Sequence, residues 1–111
     1  MSDDEILELA RKAYDKTLVP RLKPDPNVFF YEDDSQKRAC LLGAACHALG
    51  AKIHSHMEAV KLLSRDNMWC LGVSRGFCPD KFAPLPGKNQ ELEAGFAFGQ
   101  RCQTIFLKEQ V

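Results

Sequence analysis

The sequence predicts an all-α fold: a compact bundle of four to five short helices, with a proline-rich ordered connector over residues 20–34. Three observations carry this expectation. Two Ser-x-x-Glu capping boxes, Ser2 with Glu5 and Ser55 with Glu58, mark helix starts at which each side chain satisfies the other residue's backbone N–H. Several segments repeat apolar residues at three- and four-residue spacing, the signature of an amphipathic helix. Inside two of them, Gly72 with Gly76 and Gly95 with Gly99 stand four apart. A glycine within a helix costs roughly 0.5–1 kcal/mol relative to alanine, so these pairs predict a compensating contact. Either two helix backbones pack closer than side chains would allow, or a ligand lies against the helix.

Each element follows in order. The first helix opens at Ser2 and places Ile6, Leu9, Ala10, Ala13, Tyr14 and Leu18 on one face until Pro20 stops it. Pro20, Pro24 and Pro26 then flank Val28-Phe29-Phe30-Tyr31, ahead of the acidic run Glu32-Asp33-Asp34. Four bulky residues in a row rarely sit in a solvated loop, so this segment lies extended across the helices or forms a short edge strand. A second helix runs from a cap at Asp34 or Ser35 through Leu49 and closes at Gly50. Ala39, Leu42, Gly43, Cys46 and Leu49 share one of its faces. Its small residues suit it to the bundle centre, with the first and last helices packed against it.

Ser55 and Glu58 open the third helix, with Met57, Val60, Leu63 and Leu62 as its inward candidates, ending between Ser64 and Asn67. A fourth, capped at Asp66 or Asn67, carries Trp69, Gly72, Val73, Gly76 and Phe77 and runs to Cys78 before Pro79. The rival reading is a strand over 68–73 followed by a turn at Ser74-Arg75-Gly76. Residues 79–88, with Pro79, Pro84, Pro86 and Gly87, read as loop. The last helix begins at Asn89, sets Glu91 and Glu93 in its first turn, and continues through Leu92, Phe96, Gly99, Cys102, Ile105 and Phe106 to Lys108.

At 111 residues the chain is one domain's worth, 1–111, and is large enough to bury a core without metal or disulfide. Its 45% hydrophobic and 27% charged residues are those of an ordinary globular protein. Fifteen basic and fifteen acidic residues cancel, which removes the long-range attraction of most nucleic-acid and membrane-surface binders and favours self-association. Basic residues are scattered and interleaved with acids, so nucleic acid is not an expected partner. The acidic start Met1-Ser2-Asp3-Asp4-Glu5 is unlike a secretory signal, and no apolar run approaches the roughly 18 residues of a membrane span. Both absences point to the cytoplasm. An odd number of cysteines, 40, 46, 70, 78 and 102, then reads as free thiols in a reducing compartment.

Few constellations suggest chemistry. Cys40, Cys46, His47, His54 and His56 fall close together, and thiolate with imidazole is the ligand set that zinc prefers. The spacing argues for core thiols and interhelical histidines instead. Cys40 and His47 would stand about 10.5 Å apart along one helix face, too far to share an ion. His54 and His56 remain able to meet His47 across the turn at Gly50. Cys78, at a helix end, reads as the most exposed nucleophile candidate, yet a helix C-terminus raises a thiol's pKa. The acidic clusters at 3–5 and 32–34 are explained as helix N-terminal charge and as a solvated loop with a cap.

The aromatic residues are numerous for a small chain. Phe29, Phe30, Tyr31 and Phe98 form the expected binding surface, with Phe98 the best single case. It lies roughly 200° around the helix from Phe96, so if Phe96 points inward Phe98 points away and is covered by the 79–88 loop or by another chain. The expected function is a small intracellular noncatalytic binding or regulatory protein that acts through an apolar aromatic surface, self-associating as a homodimer, without a cofactor. The alternative is a small-ligand or zinc pocket inside the bundle, catalytic or not, lined by Cys40, His47 and Cys102.

Overall fold

The computed structural model describes residues 1–78 and 89–107, so the expected 79–88 loop and Lys108 lie outside the described residues. Helix α1 spans Asp3–Ala13. Its capping box is closed by the Glu5 N–H donating to Ser2 Oγ at 3.1 Å and the Ser2 N–H donating to Glu5 Oε1 at 3.0 Å. The helix stops well before Pro20, and Leu18 is half exposed. The reason is local. Asp15 Oδ1 accepts from the Thr17 N–H at 2.9 Å and from its hydroxyl at 2.8 Å, a side-chain turn that competes with further helix.

The fold is not all-α: it is predominantly helical with a small three-stranded sheet. Strands β1 (Leu22–Pro24), β2 (Tyr31–Glu32) and β3 (Lys37–Ala39) take the order β1-β3-β2. The central β3 runs parallel to β1, with Lys23 opposite Arg38, and antiparallel to β2, with Tyr31 opposite Arg38. The edge-strand reading of 28–31 is thus met at Tyr31, whereas residues 36–40 were expected to open the second helix. Asp33 explains the difference. Its Oδ1 accepts from the backbone N–H groups of Ser35 and Gln36 at 2.8 and 2.9 Å, and its own N–H donates to the Gln36 carbonyl at 3.0 Å. That tight turn folds the chain back as a hairpin before a helix can begin.

Helix α2 (Leu41–Ala48) therefore starts late, with Cys40 at its N-cap, and buries every residue from Leu41 to Cys46. Gly50 follows in the left-handed region, at φ 89°. Helix α3 (His56–Leu63) buries Ala59 and Leu63, while the expected inward residues Met57 and Leu62 are exposed. Helix α4 (Asn67–Phe77) settles the helix-or-strand alternative in favour of helix; Asp66 caps it, accepting from the Met68 N–H at 2.7 Å. Helix α5 (Gln90–Cys102) starts under an Asn89 cap, accepting from the Leu92 N–H at 3.1 Å, and widens into a π-helical turn over Gln103–Leu107.

The first helix packs on α2, but the last packs chiefly on α4 rather than on α2. The four glycines lie at that α4–α5 contact. A Cβ on Gly72 would overlap the Leu92 carbonyl oxygen and stand 2.7 Å from the Phe96 nitrogen; one on Gly95 would overlap the Trp69 carbonyl. Gly76 and Gly99 face backbone in the same way, at 2.9 Å from the nitrogens of Gln100 and Phe77. Backbone cannot yield as a side-chain tip can, so side chains there would force the helices apart. Among the described residues, no helix is long and apolar enough to cross a membrane.

The α4–α5 contact also rotates α5 relative to the expectation. Leu92, Gly95, Phe98, Gly99 and Cys102 are its buried residues, and Phe96 sits half-buried at the flank. Phe98 is only 4% exposed, inside its own protomer and against Trp69. The expectation that it faces outward is corrected.

Candidate functional site

Gly43 on α2 lets the backbone of the 26–29 segment cross directly over the helix, since a Cβ there would overlap the Phe29 carbonyl. Hydrogen bonds then pin the segment. The Cys40 N–H donates to the Val28 carbonyl at 2.7 Å, the Asp25 N–H to the Ala39 carbonyl at 3.0 Å, and Arg38 pairs with Asp25 at 2.8 Å. A stretch rich in proline and aromatics is thereby held at a fixed distance from α4.

Between this segment and α4 lies a cavity of about 340 Å3. Pro26, Val28 and Phe29 line one side and Leu71 the other, and Cys40 also borders it. Its polar lining comes from Asn27, Ser74 and Arg75. Ser74 Oγ is buried and has no hydrogen-bond partner among the described residues. A hydroxyl so placed costs stability unless a partner beyond the described residues meets it. Residues 71, 74 and 75 share a flank of α4 by their three- and four-residue spacing, beside the glycine face. Sequence reasoning missed Leu71 as a site residue, and placed Ser74 and Arg75 in the rival turn reading rather than at a site. The available signal was this mixed apolar and polar flank next to the glycines.

Of the expected binding-surface residues, only Phe29 reaches the cavity. Phe30 is buried against the His47 ring, with centroids 5.0 Å apart. Tyr31 is exposed on β2, its ring covered by the Arg38 guanidinium at 4.5 Å and its hydroxyl donating to Asp33 Oδ2 at 2.7 Å. Phe98 belongs to the core. These four aromatics occupy four environments and form no continuous patch.

The expected pocket residues are dispersed in the same way. Cys40 borders the cavity, and burial pushes its thiol pKa up to about 11. Burial likewise pushes the Cys102 thiol up to about 12. His47 lies at the end of α2, where burial lowers its pKa. The His54 N–H donates to Glu58 Oε2 at 2.7 Å, and His56 Nε2 stands 3.1 Å from the Asn67 carbonyl, tying α3 to α4. Among the described residues, no three His, Cys, Asp or Glu side chains converge to hold a metal ion. Cys78, expected to be the most exposed thiol, is 3% exposed. A buried, protonated thiol is a poor nucleophile at neutral pH, so Cys40 lines the cavity as a small apolar group.

Compared with known proteins, the chain matches no family model, no curated protein and no solved structure.

Proposed function

We propose that this protein is a noncatalytic binding protein that takes a small amphipathic anion between residues 26–29 and α4. The buried, unpartnered Ser74 hydroxyl beside Arg75 carries the reading, because it supplies a polar anchor in a cavity lined also by Val28, Phe29 and Leu71. The ligand's apolar body would lie against Val28, Phe29 and Leu71, and its anionic group would meet Ser74 and Arg75. A volume of about 340 Å3 falls in the range of small-molecule sites, in which a few polar groups orient a mainly apolar ligand. The raised pKa of the buried Cys40 thiol supports binding without covalent chemistry. Five buried free cysteines support a reducing compartment. The burial of Phe98 withdraws support from a homodimer centred on α5.

A fluorescence titration with anilinonaphthalene sulfonate, itself an amphipathic anion, tests the site. Wild type should bind it saturably at one site. Ser74→Leu fills the cavity and should weaken binding by about tenfold or more, equivalent to about 1.4 kcal/mol. Undiminished binding by a folded Ser74→Leu protein would place the probe elsewhere and remove the proposal.

A further inference from the structure

Among the described residues that line the cavity between 26–29 and α4, Arg75 alone carries a formal charge. Asn27 and Ser74 are neutral, and burial pushes the Cys40 thiol up to about 11, so that it keeps its proton at neutral pH. Asp25 stands next to the lining at Pro26, but Arg38 meets it at 2.8 Å. The Arg75 guanidinium forms no ion pair or hydrogen bond with any described residue. It sits in the last turn of α4, where the helix carbonyls attract positive charge, yet those dipoles supply no counter-ion. The cavity therefore presents one positive charge that no described side chain cancels.

Its proline-containing wall is held in place by the protein itself. Asp25 Oδ1 accepts from the Asn27 N–H at 2.9 Å, and the Val28 carbonyl accepts from the Cys40 N–H at 2.7 Å. A wall fixed in advance lowers the ordering cost of binding. Val28, Phe29 and Leu71 are nonetheless only half-buried, which leaves apolar surface that a ligand can cover.

Resting on the binding reading above, we infer that the ligand is a monocarboxylate with one small apolar substituent, its carboxylate on Arg75 and Ser74 and its substituent against Val28, Phe29 and Leu71. The planar fork of a guanidinium matches the two coplanar oxygens of a carboxylate. The Ser74 hydroxyl, buried and without a partner, donates to a carboxylate lone pair that the guanidinium leaves open. A single negative charge cancels that of Arg75. A phosphate monoester, close to a dianion at neutral pH, would leave uncompensated charge beside apolar side chains. A volume of about 340 Å3 equals that of about eleven water molecules in the liquid, room for a carboxylate and a single ring.

Isothermal titration of the full chain with 3-phenylpropionate, 3-phenylpropionamide and 2-phenylethyl phosphate tests this, since the three share a phenylalkyl body and differ in head group. The carboxylate should bind saturably at one site, displace anilinonaphthalene sulfonate, and bind at least about tenfold tighter than the amide and several-fold tighter than the phosphate. Arg75→Gln should bring carboxylate and amide to similar affinity while leaving that of the amide unchanged. Arg75→Lys, which keeps the charge but not the fork, should lie between. Equal affinity of wild type for carboxylate and amide, tighter binding of the phosphate, or an Arg75→Gln protein that keeps the wild-type preference overturns the carboxylate assignment. Sulfonate binding that Ser74→Leu abolishes would then leave the cavity itself standing as a binding site. A wild type that binds neither 3-phenylpropionate nor anilinonaphthalene sulfonate overturns both. The head-group comparison needs wild type alone, so it decides the matter even if a variant fails to fold.

Discussion

The Trp69 indole lies against the Phe98 ring, with centroids 5.3 Å apart and planes inclined by 32°. Both side chains are closed off from solvent, and the Arg65 guanidinium lies 3.7 Å from the Trp69 ring centre. This pairing joins α4 to α5 beside the glycine contact. It turns an aromatic residue expected on the surface into part of the core.

Phe98→Asp should therefore unfold the protein rather than yield a folded monomer. Truncating a buried phenylalanine costs about 3–5 kcal/mol, and a buried unpaired carboxylate adds to that. Urea unfolding followed by circular dichroism checks it. A folded Phe98→Asp chain with wild-type stability would return Phe98 to the surface.

Gly72→Ala and Gly95→Ala set two effects against each other. Alanine gains roughly 0.5–1 kcal/mol of helix propensity, whereas overpacking a tight contact costs typically 1–3 kcal/mol. The new methyl groups would meet the carbonyls of Leu92 and Trp69, which are backbone, so overpacking should win and each variant should melt below wild type. Thermal melts at or above the wild-type temperature would show that α4 and α5 can separate without loss.

The pH dependence has two arms. Hydrogen bonds hold the Glu5, Glu58 and Asp33 carboxyls below their usual values: Ser2 at Glu5, His54 and Ser55 at Glu58, Tyr31 and Ser35 at Asp33. A depressed carboxyl contributes stability that is present above its unfolded value, about 4, and lost as pH falls through the folded one. For His47, burial lowers the pKa, so its unfolded form takes up a proton first and stability falls as pH drops below about 6.5. Chemical denaturation at a series of pH values should show the upper arm flattened in His47→Gln and the lower arm flattened in Asp33→Asn. Unchanged profiles in both variants would contradict these environments.

The thiols should be silent in the native state. Cys40, Cys46, Cys70 and Cys102 are buried and pushed up to about 11 or 12 by desolvation, and Cys78 is buried as well. An aromatic disulfide reagent should react slowly with native protein at neutral pH and with all five thiols in denaturant. Circular dichroism should be indifferent to reductant. Rapid native labelling at any one cysteine would reveal an opening of the core at that position.

What could be read from the chain alone was whatever neighbouring residues decide between themselves. The capping boxes at Ser2 and Ser55, the caps at Asp66 and Asn89 and the turn at Gly50 each join groups a few positions apart, and all stand where the sequence places them. The α4 face of Trp69, Gly72, Val73, Gly76 and Phe77 was legible for the same reason. Tertiary structure decided the rest. Lys37–Ala39 follows a good helical pattern but pairs with Leu22–Pro24 on one side and Tyr31–Glu32 on the other, and those non-local ladders override local preference. Leu92, Gly95, Gly99 and Cys102 leave either flank of α5 free to turn inward. Packing across the contact, with Trp69 against the Phe98 ring, places Phe98 in the core and leaves Phe96 at the flank. The cavity of Phe29 and Ser74 likewise exists only once α2 and α4 hold two remote segments side by side, because enclosed volume belongs to packed elements and to no single stretch of sequence.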